Sequence, residues 1–322
     1  MLFRKKSGFT LVELLVVISI IGILAAALTA QFTNVRKNAQ AMKCKTNLHN
    51  LAQAALSYAV DTHAKAEGRH CPEQVMPWAG SYERAWAVMQ NGKYVRTYIE
   101  CPGWVAWTGP GRWQTREMQS GQMKKACYFG STAYESITNG TLWSYVGKDL
   151  AAYACEAHRS VAKRAGLLKV QRSYVMNGYF GFDHKGNPTP ANMPDARDIR
   201  LDALSARGNA GNLLLFAELP AFKGSTHVES VAKDENGTGS DGVLEADIGN
   251  DSSGKKKYTS LSEVIGFNHQ VAKRYVAHVA FADGHVEVLV EPRGASDTDL
   301  KELAKQLCNG DEISQVMRDK MR

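Results

Sequence analysis

Gly8-Phe9-Thr10-Leu11-Val12-Glu13-Leu14-Leu15-Val16-Val17-Ile18-Ser19-Ile20-Ile21-Gly22-Ile23-Leu24 follows three cations, Arg4, Lys5 and Lys6, and opens an apolar run with one charge between Phe9 and Ala30. As a helix, those 22 residues make about 33 Å, enough to cross a bilayer core. The run predicts a membrane-spanning helix with a cytoplasmic N-terminus, leaving everything after residue 30 on the far side. Glu13 is the exception in it, because an ionised carboxylate at bilayer depth costs about 2.5–3.5 kcal/mol on the insertion scale. A cut between Gly8 and Phe9 would create an α-amino group four residues before Glu13. Amine and carboxylate, each costly alone in lipid, would then be available to pair between neighbouring helices.

Two plainer readings stand beside this one: a secretory signal cut at Ala25-Ala26-Ala27 or near Ala30, and a simple single-span anchor. Neither accounts for a glutamate at the start of the apolar run.

Lys5-Lys6-Ser7-Gly8-Phe9-Thr10-Leu11-Val12-Glu13 resembles the leader and first mature residues of type IV prepilins and type II secretion pseudopilins. The resemblance implies cleavage after Gly8 by a membrane aspartyl peptidase, N-methylation of the exposed Phe9, and a subunit-docking role for Glu13. It implies partners too: the prepilin peptidase, an inner-membrane assembly platform, the lipid bilayer, and other copies or paralogous pilins in a filament. The implied location is the inner membrane, single-pass with the head outside, and then a periplasmic pseudopilus or a cell-surface filament.

Beyond the apolar run, Phe32, Val35, Ala39, Met42, Leu48, Leu51, Ala52, Ala55, Leu56 and Ala59 recur at mostly three- and four-residue steps, with Arg36, Lys37, Lys43 and Lys45 on the other side. No proline occurs before Pro72, so one helix is expected from Phe9 to about Val60, roughly 78 Å long. The predicted organisation is a leader at 1–8, a transmembrane half-stem at 9–30, an amphipathic half-stem at 31–62 and a globular head at 63–322. The fold class is α+β, a long stem helix followed by a head built on an antiparallel sheet. Pilins often carry a proline where this chain has Ala30.

Composition is that of a globular protein, 22% charged and 44% hydrophobic. The leader cations supply three of the net +7 charges, leaving +4, and nothing in that balance calls for a nucleic-acid partner. All six tryptophans (Trp78, Trp86, Trp104, Trp107, Trp113, Trp143) fall early in the head. They read as core and turn packing, with a carbohydrate-binding face as the functional alternative. An extracytoplasmic head permits disulfides, and local economy suggests Cys71 with Cys101 and Cys127 with Cys155, leaving Cys44 and Cys308 free or paired together. Zinc fails on spacing, since no two cysteines lie two to four residues apart.

Asn139-Gly140-Thr141-Leu142-Trp143-Ser144-Tyr145-Val146 and Arg172-Ser173-Tyr174-Val175-Met176-Asn177 read as turn and strand, and Leu213-Leu214-Leu215-Phe216 as a buried strand leading to Glu218. Asp234, Asn236, Asp241, Glu245 and Asp247 could supply oxygen ligands to calcium, the only cofactor suggested, or form a plain surface loop. His278-Val279-Ala280-Phe281-Ala282-Asp283-Gly284-His285-Val286-Glu287-Val288 reads as a hairpin turning at Asp-Gly. It resembles the H-X9-DG segment of large-headed prepilin-like proteins, with Lys273 at the place of the histidine. His269, His278 and His285 form a conceivable metal set. Ser296-Asp297-Thr298-Asp299 starts a C-terminal helix with Leu300, Leu303 and Leu307 on one face, stopped at Asn309-Gly310 and followed by a polar tail.

Three function classes result: a filament subunit without catalysis, a tip pilin whose tryptophan-rich head binds a glycan, and a membrane-tethered enzyme. The chain has no G-x-S-x-G, H-E-x-x-H or P-loop motif, and the first class is the one expected.

Overall fold

The computed structural model describes residues 10–61, 76–79, 82–90, 93–101, 103–105, 134–164, 171–180, 200–202, 204, 210–220, 243–244, 248–250, 256–258, 264–271 and 273–322. The stem helix α1, Leu11–Val60, is continuous as its periodicity predicts. Thr10 caps it. Its hydroxyl accepts the Glu13 N–H at 3.3 Å, while Glu13 Oε2 accepts the Thr10 N–H at 2.8 Å and its O–H at 2.7 Å.

The apolar stripe divides in two. Every large apolar side chain between Leu11 and Leu24 is exposed, and so are Phe32, Val35 and Met42, which the periodicity had placed on the packed face. Ala41, Cys44, Leu48, Leu51, Ala52, Ala55, Tyr58 and Ala59 are buried. The packed face follows the 41-44-48-51-55 row, and Met42 stands about 100° around the helix from Ala41, outside it. Among the described residues no helix is long and apolar enough to cross a membrane. The apolar run whose side chains are described, residues 11–26, makes about 24 Å of helix, short of a bilayer core.

The head carries a sheet ordered β10-β9-β4-β3-β5, comprising β3 (Tyr174–Asn177), β4 (Leu214–Glu218), β5 (Val243–Leu244), β9 (Arg274–Phe281) and β10 (Val286–Val290). All its pairs are antiparallel except β3 with β5. β8 (His269–Val271) also pairs with β9, around Tyr275, while β4 pairs farther along, from Val279 to Phe281. The end of β4 and the start of β8 therefore meet along one edge of β9. Two separate hairpins, β1 (Tyr82–Gln90) with β2 (Lys93–Cys101) and β6 (Ile248–Asn250) with β7 (Lys256–Tyr258), complete the described strands.

Pleating sends alternate residues to two cores. Tyr174, Met176, Phe216 and Ala280 join Leu48, Leu51 and Ala55 of the stem. Val175, Ala217, Val279 and Leu289 face α4 (Asp297–Asn309) and α5 (Gln315–Met321) through Leu303, Leu307 and Met317. β4 is consequently buried on both faces, as its continuous apolar run predicts. Each fully buried leucine here contributes on the order of 1.5–3 kcal/mol.

Trp104 is buried against Phe216 and Tyr153, with ring centroids 5.0 and 5.9 Å away, so this tryptophan is core; Trp78 and Trp143 are half-buried. The side chain of Trp86, and Trp107 and Trp113, lie outside the described residues. Residues 139–148, expected to include a strand, instead form successive turns after α2 (Tyr134–Thr138), with Gly147 and Lys148 at φ 67° and 59°. Ser296 caps α4 in a capping box with Asp299, as expected. The expected polar tail is helical instead: α5 buries Met317, and Lys320 bonds Asp299 at 2.8 Å.

The Asp-Gly hairpin closes with a three-residue loop, the Phe281 N–H reaching the His285 carbonyl and the Gly284 N–H the Phe281 carbonyl, both at 2.9 Å. Its tip rests on the stem, where His49 Nδ1 lies 3.0 Å from the Gly284 carbonyl oxygen. Gly284 has φ +92°, and a Cβ there would stand 2.6 Å from Gln53 Nε2 and 3.2 Å from Leu56 Cδ1. Gly284→Ala should therefore cost about 2–3 kcal/mol, against about 1 kcal/mol for Gly294→Ala, which has φ +61° but open space around it. Urea midpoints of the two variants check this, and equal losses would contradict the stem contact.

Candidate functional site

Four segments distant in sequence bring polar side chains together under the stem. α1 presents Cys44 one turn before Leu48, on its buried row. Cys155 precedes α3 (Glu156–Arg164) in the place of an N-cap, its sulfur accepting the His158 N–H at 3.4 Å. Glu218 ends β4 and His269 begins β8, so the arrangement of both strands along β9 makes them neighbours. Every one of these side chains is buried: Cys44 and Cys155 at 1%, Glu218 at 0% and His269 at 2% exposure.

Glu218 is the hub. Its Oε1 receives the Cys44 S–H at 3.1 Å and the His278 N–H at 2.9 Å, with His278 Nδ1 at 2.8 Å and His269 Nε2 at 3.3 Å. Oε2 accepts from Asn268 Nδ2 at 3.0 Å. Burial alone would push this carboxyl up. The His269 charge and the histidine hydrogen bonds overcome it and hold Glu218 well below the ordinary carboxylate range. Burial likewise pulls His269 down, but Glu218, then Cys155, reverse the sign and raise it to about 10.

The two sulfurs differ. Burial, reinforced by Cys155 and Glu218, raises the Cys44 thiol well above its usual range. Burial pushes Cys155 up as well, but its hydrogen bond with Cys44 and the imidazole of His269, whose Nε2 lies 3.3 Å from Sγ, bring it down to about 6. The directions of these shifts favour a carboxylate on Glu218, a thiolate on Cys155 and an imidazolium on His269, and keep the proton on Cys44. Tyr174 adds an O–H bond to the Cys44 sulfur at 3.2 Å. The ligand-type atoms of Cys44, Cys155, Glu218 and His269 all lie within 4.8 Å of one another, a set that can hold a metal ion.

This corrects several sequence expectations. Cys155 is a free thiol beside Cys44, not half of a disulfide with Cys127, because the turn before α3 carries it into the interior. Cys71 and Cys127 lie outside the described residues, as does the side chain of Cys101. Cys44 and Cys308 are free and do not meet: one faces the stem-side core and the other the C-terminal helices. The cysteine-spacing argument against zinc does not bear on this cluster, whose four side chains converge through tertiary structure and not through short spacing. Of the three histidines, His269 and His278 come together, with ring centroids 4.8 Å apart. His285 instead stacks on Phe281 at the hairpin tip and bonds Asp283. The calcium candidates Asp234, Asn236, Asp241, Glu245 and Asp247, and the cleavage pair Gly8 and Phe9, lie outside the described residues.

At the other end of the chain, Glu13 is exposed and held within the Thr10 capping box, amid large apolar side chains that are themselves exposed. The family model described as the prokaryotic N-terminal methylation motif matches residues 3–29. The chain carries a prepilin-type N-terminus. The match supports the prepilin and pseudopilin family, and it points to a structural subunit of the pilin-like kind. No curated protein and no solved structure matches the chain.

Removing the Glu218 charge should be among the costliest single changes in the head. Glu218→Gln strips the buried His269 of its carboxylate partner, leaving Cys155 beside it, and should lose about 3–5 kcal/mol. Glu287→Gln, at an exposed carboxylate 3.6 Å from His285 Nε2, should lose less than about 1 kcal/mol. Chemical denaturation of the full chain in detergent compares the two, and similar losses would remove Glu218 from the centre of the core.

Proposed function

We propose that this chain is a filament subunit of a type IV pilus-like or type II secretion pseudopilus assembly. In this reading residues 9–30 anchor it in the inner membrane with the head outside. Prepilin peptidase then cuts after Gly8 and Phe9 is N-methylated. The observation that carries the reading is the coincidence of the methylation motif with a helix whose first half is apolar and exposed while its second half is head core. Exposed apolar surface on that scale requires a covering medium, lipid before assembly and other stems afterwards. The Asp283-Gly284 hairpin supports placing the chain with the large-headed, H-X9-DG-like subgroup, although Lys273, at φ +70°, holds the place of its histidine.

Glu13 docks subunits in this scheme. Its carboxylate, satisfied by Thr10 in the single chain, exchanges that local partner for the amino group of Phe9 on an adjacent stem. Mass spectrometry of the N-terminal peptide from membranes should find N-methylated Phe9. Gly8→Ala should leave the precursor untrimmed. Glu13→Ala should be trimmed yet remain unassembled, since each junction would bury an unpaired amine at a cost on the order of a few kcal/mol. Filaments from Glu13→Ala equal to the parent's would refute the docking role.

A further inference from the structure

We propose that Cys44, Cys155, Glu218 and His269 form a structural zinc site that fastens the stem to the head. The donor set is two sulfurs, one imidazole nitrogen and one carboxylate oxygen, all of types that zinc takes in tetrahedral sites. Three edges of the tetrahedron are present: Cys44 Sγ to Glu218 Oε1 at 3.1 Å, Cys155 Sγ to His269 Nε2 at 3.3 Å, and His269 Nε2 to Glu218 Oε1 at 3.3 Å. A zinc ion with bonds of about 2.0–2.3 Å needs edges of about 3.3–3.8 Å. These three edges lie within a few tenths of an ångström of that range, and all six separations are no more than 4.8 Å, so closing the set around an ion takes side-chain shifts of up to about 1 Å.

The surroundings are those of a ligand shell. Tyr174 O–H and the His158 N–H point at the two sulfurs, and Asn268 and His278 bond the carboxylate. Such outer donors fix the orientation of first ligands and temper their charge. On binding, zinc displaces the protons still held by the donor atoms, and their release accompanies folding of the site. With four protein ligands and every one buried, the site is closed, which marks a structural rather than a catalytic ion. Its ligands come from α1, the turn before α3, β4 and β8, so one ion would lock the stem against three parts of the head.

The test is metal analysis of the full chain, purified in mild detergent without chelator or added metal. The site predicts stoichiometric zinc, one ion per chain, and Cys44 and Cys155 resistant to alkylation until zinc is chelated in denaturant. Cobalt in place of zinc should give thiolate charge-transfer bands and the intense visible bands of a tetrahedral ion. Cys155→Ser and Glu218→Gln should each lower zinc retention by at least about tenfold, while Cys308→Ser, at the buried cysteine on the opposite side of the sheet, should retain it. Two results would overturn the proposal without reference to any variant's folding. One is a Cys44–Cys155 disulfide in the isolated protein. The other is reduced wild-type protein that neither contains zinc nor takes it up when zinc alone is added.

Discussion

The carboxylate of Glu218 is fully buried, so protein donors must meet its charge, and they come from places far apart in the chain. Cys44 reaches it from the stem, Asn268 and His269 from the start of β8, and His278 from β9 with both backbone and ring. An uncompensated buried charge is costly enough that the stem, the end of β4 and the start of β8 must be in register before the core is stable. The apolar packing of Leu48, Leu51 and Ala55 on Phe216 and Ala280 supplies the bulk of the attraction. Glu218 adds the directional requirement that apolar packing lacks.

One helix thus has two environments. From Ala41 onward it is a layer of the head, with the sheet beneath it and the C-terminal helices on the far face. From Leu11 to Leu24 its large side chains are apolar and exposed, and it opens with a capping box that keeps the Glu13 carboxylate satisfied within its own turn. The prepilin-type motif lies over the start of this exposed half. A contact made through that half would leave the packed half unchanged, since the two share no residues.

The elements with local physical signatures were legible in the sequence. The stem's period, the β4 apolar run, the Asp-Gly hairpin and the Ser296 cap each depend on neighbours a few residues away, and each stands where it was expected. Where the expectation failed, the deciding partner was distant. Met42 satisfies the stem's spacing as well as Cys44 does, and only the position of the sheet decides which is buried. Residues 139–148 have strand-like composition, but local i to i+3 bonds such as Tyr145 N–H to the Leu142 carbonyl close them into turns. The Cys44, Cys155, Glu218 and His269 cluster lacks the short spacing by which metal sites are recognised. Two signals for it were present: a cysteine in step with Leu48 and Leu51, and a carboxylate ending a continuous apolar strand.

The second half of the stem is part of the head's cooperative core. Amide hydrogen exchange of the full chain in detergent tests it most directly. Residues 44–59 should be protected to the same degree as β4 and β9, all opening together in one global event. Exchange in 44–59 roughly 100-fold or more faster than in β9, about 2.8 kcal/mol of separate opening, would show a stem that detaches from an intact head and would contradict the claim.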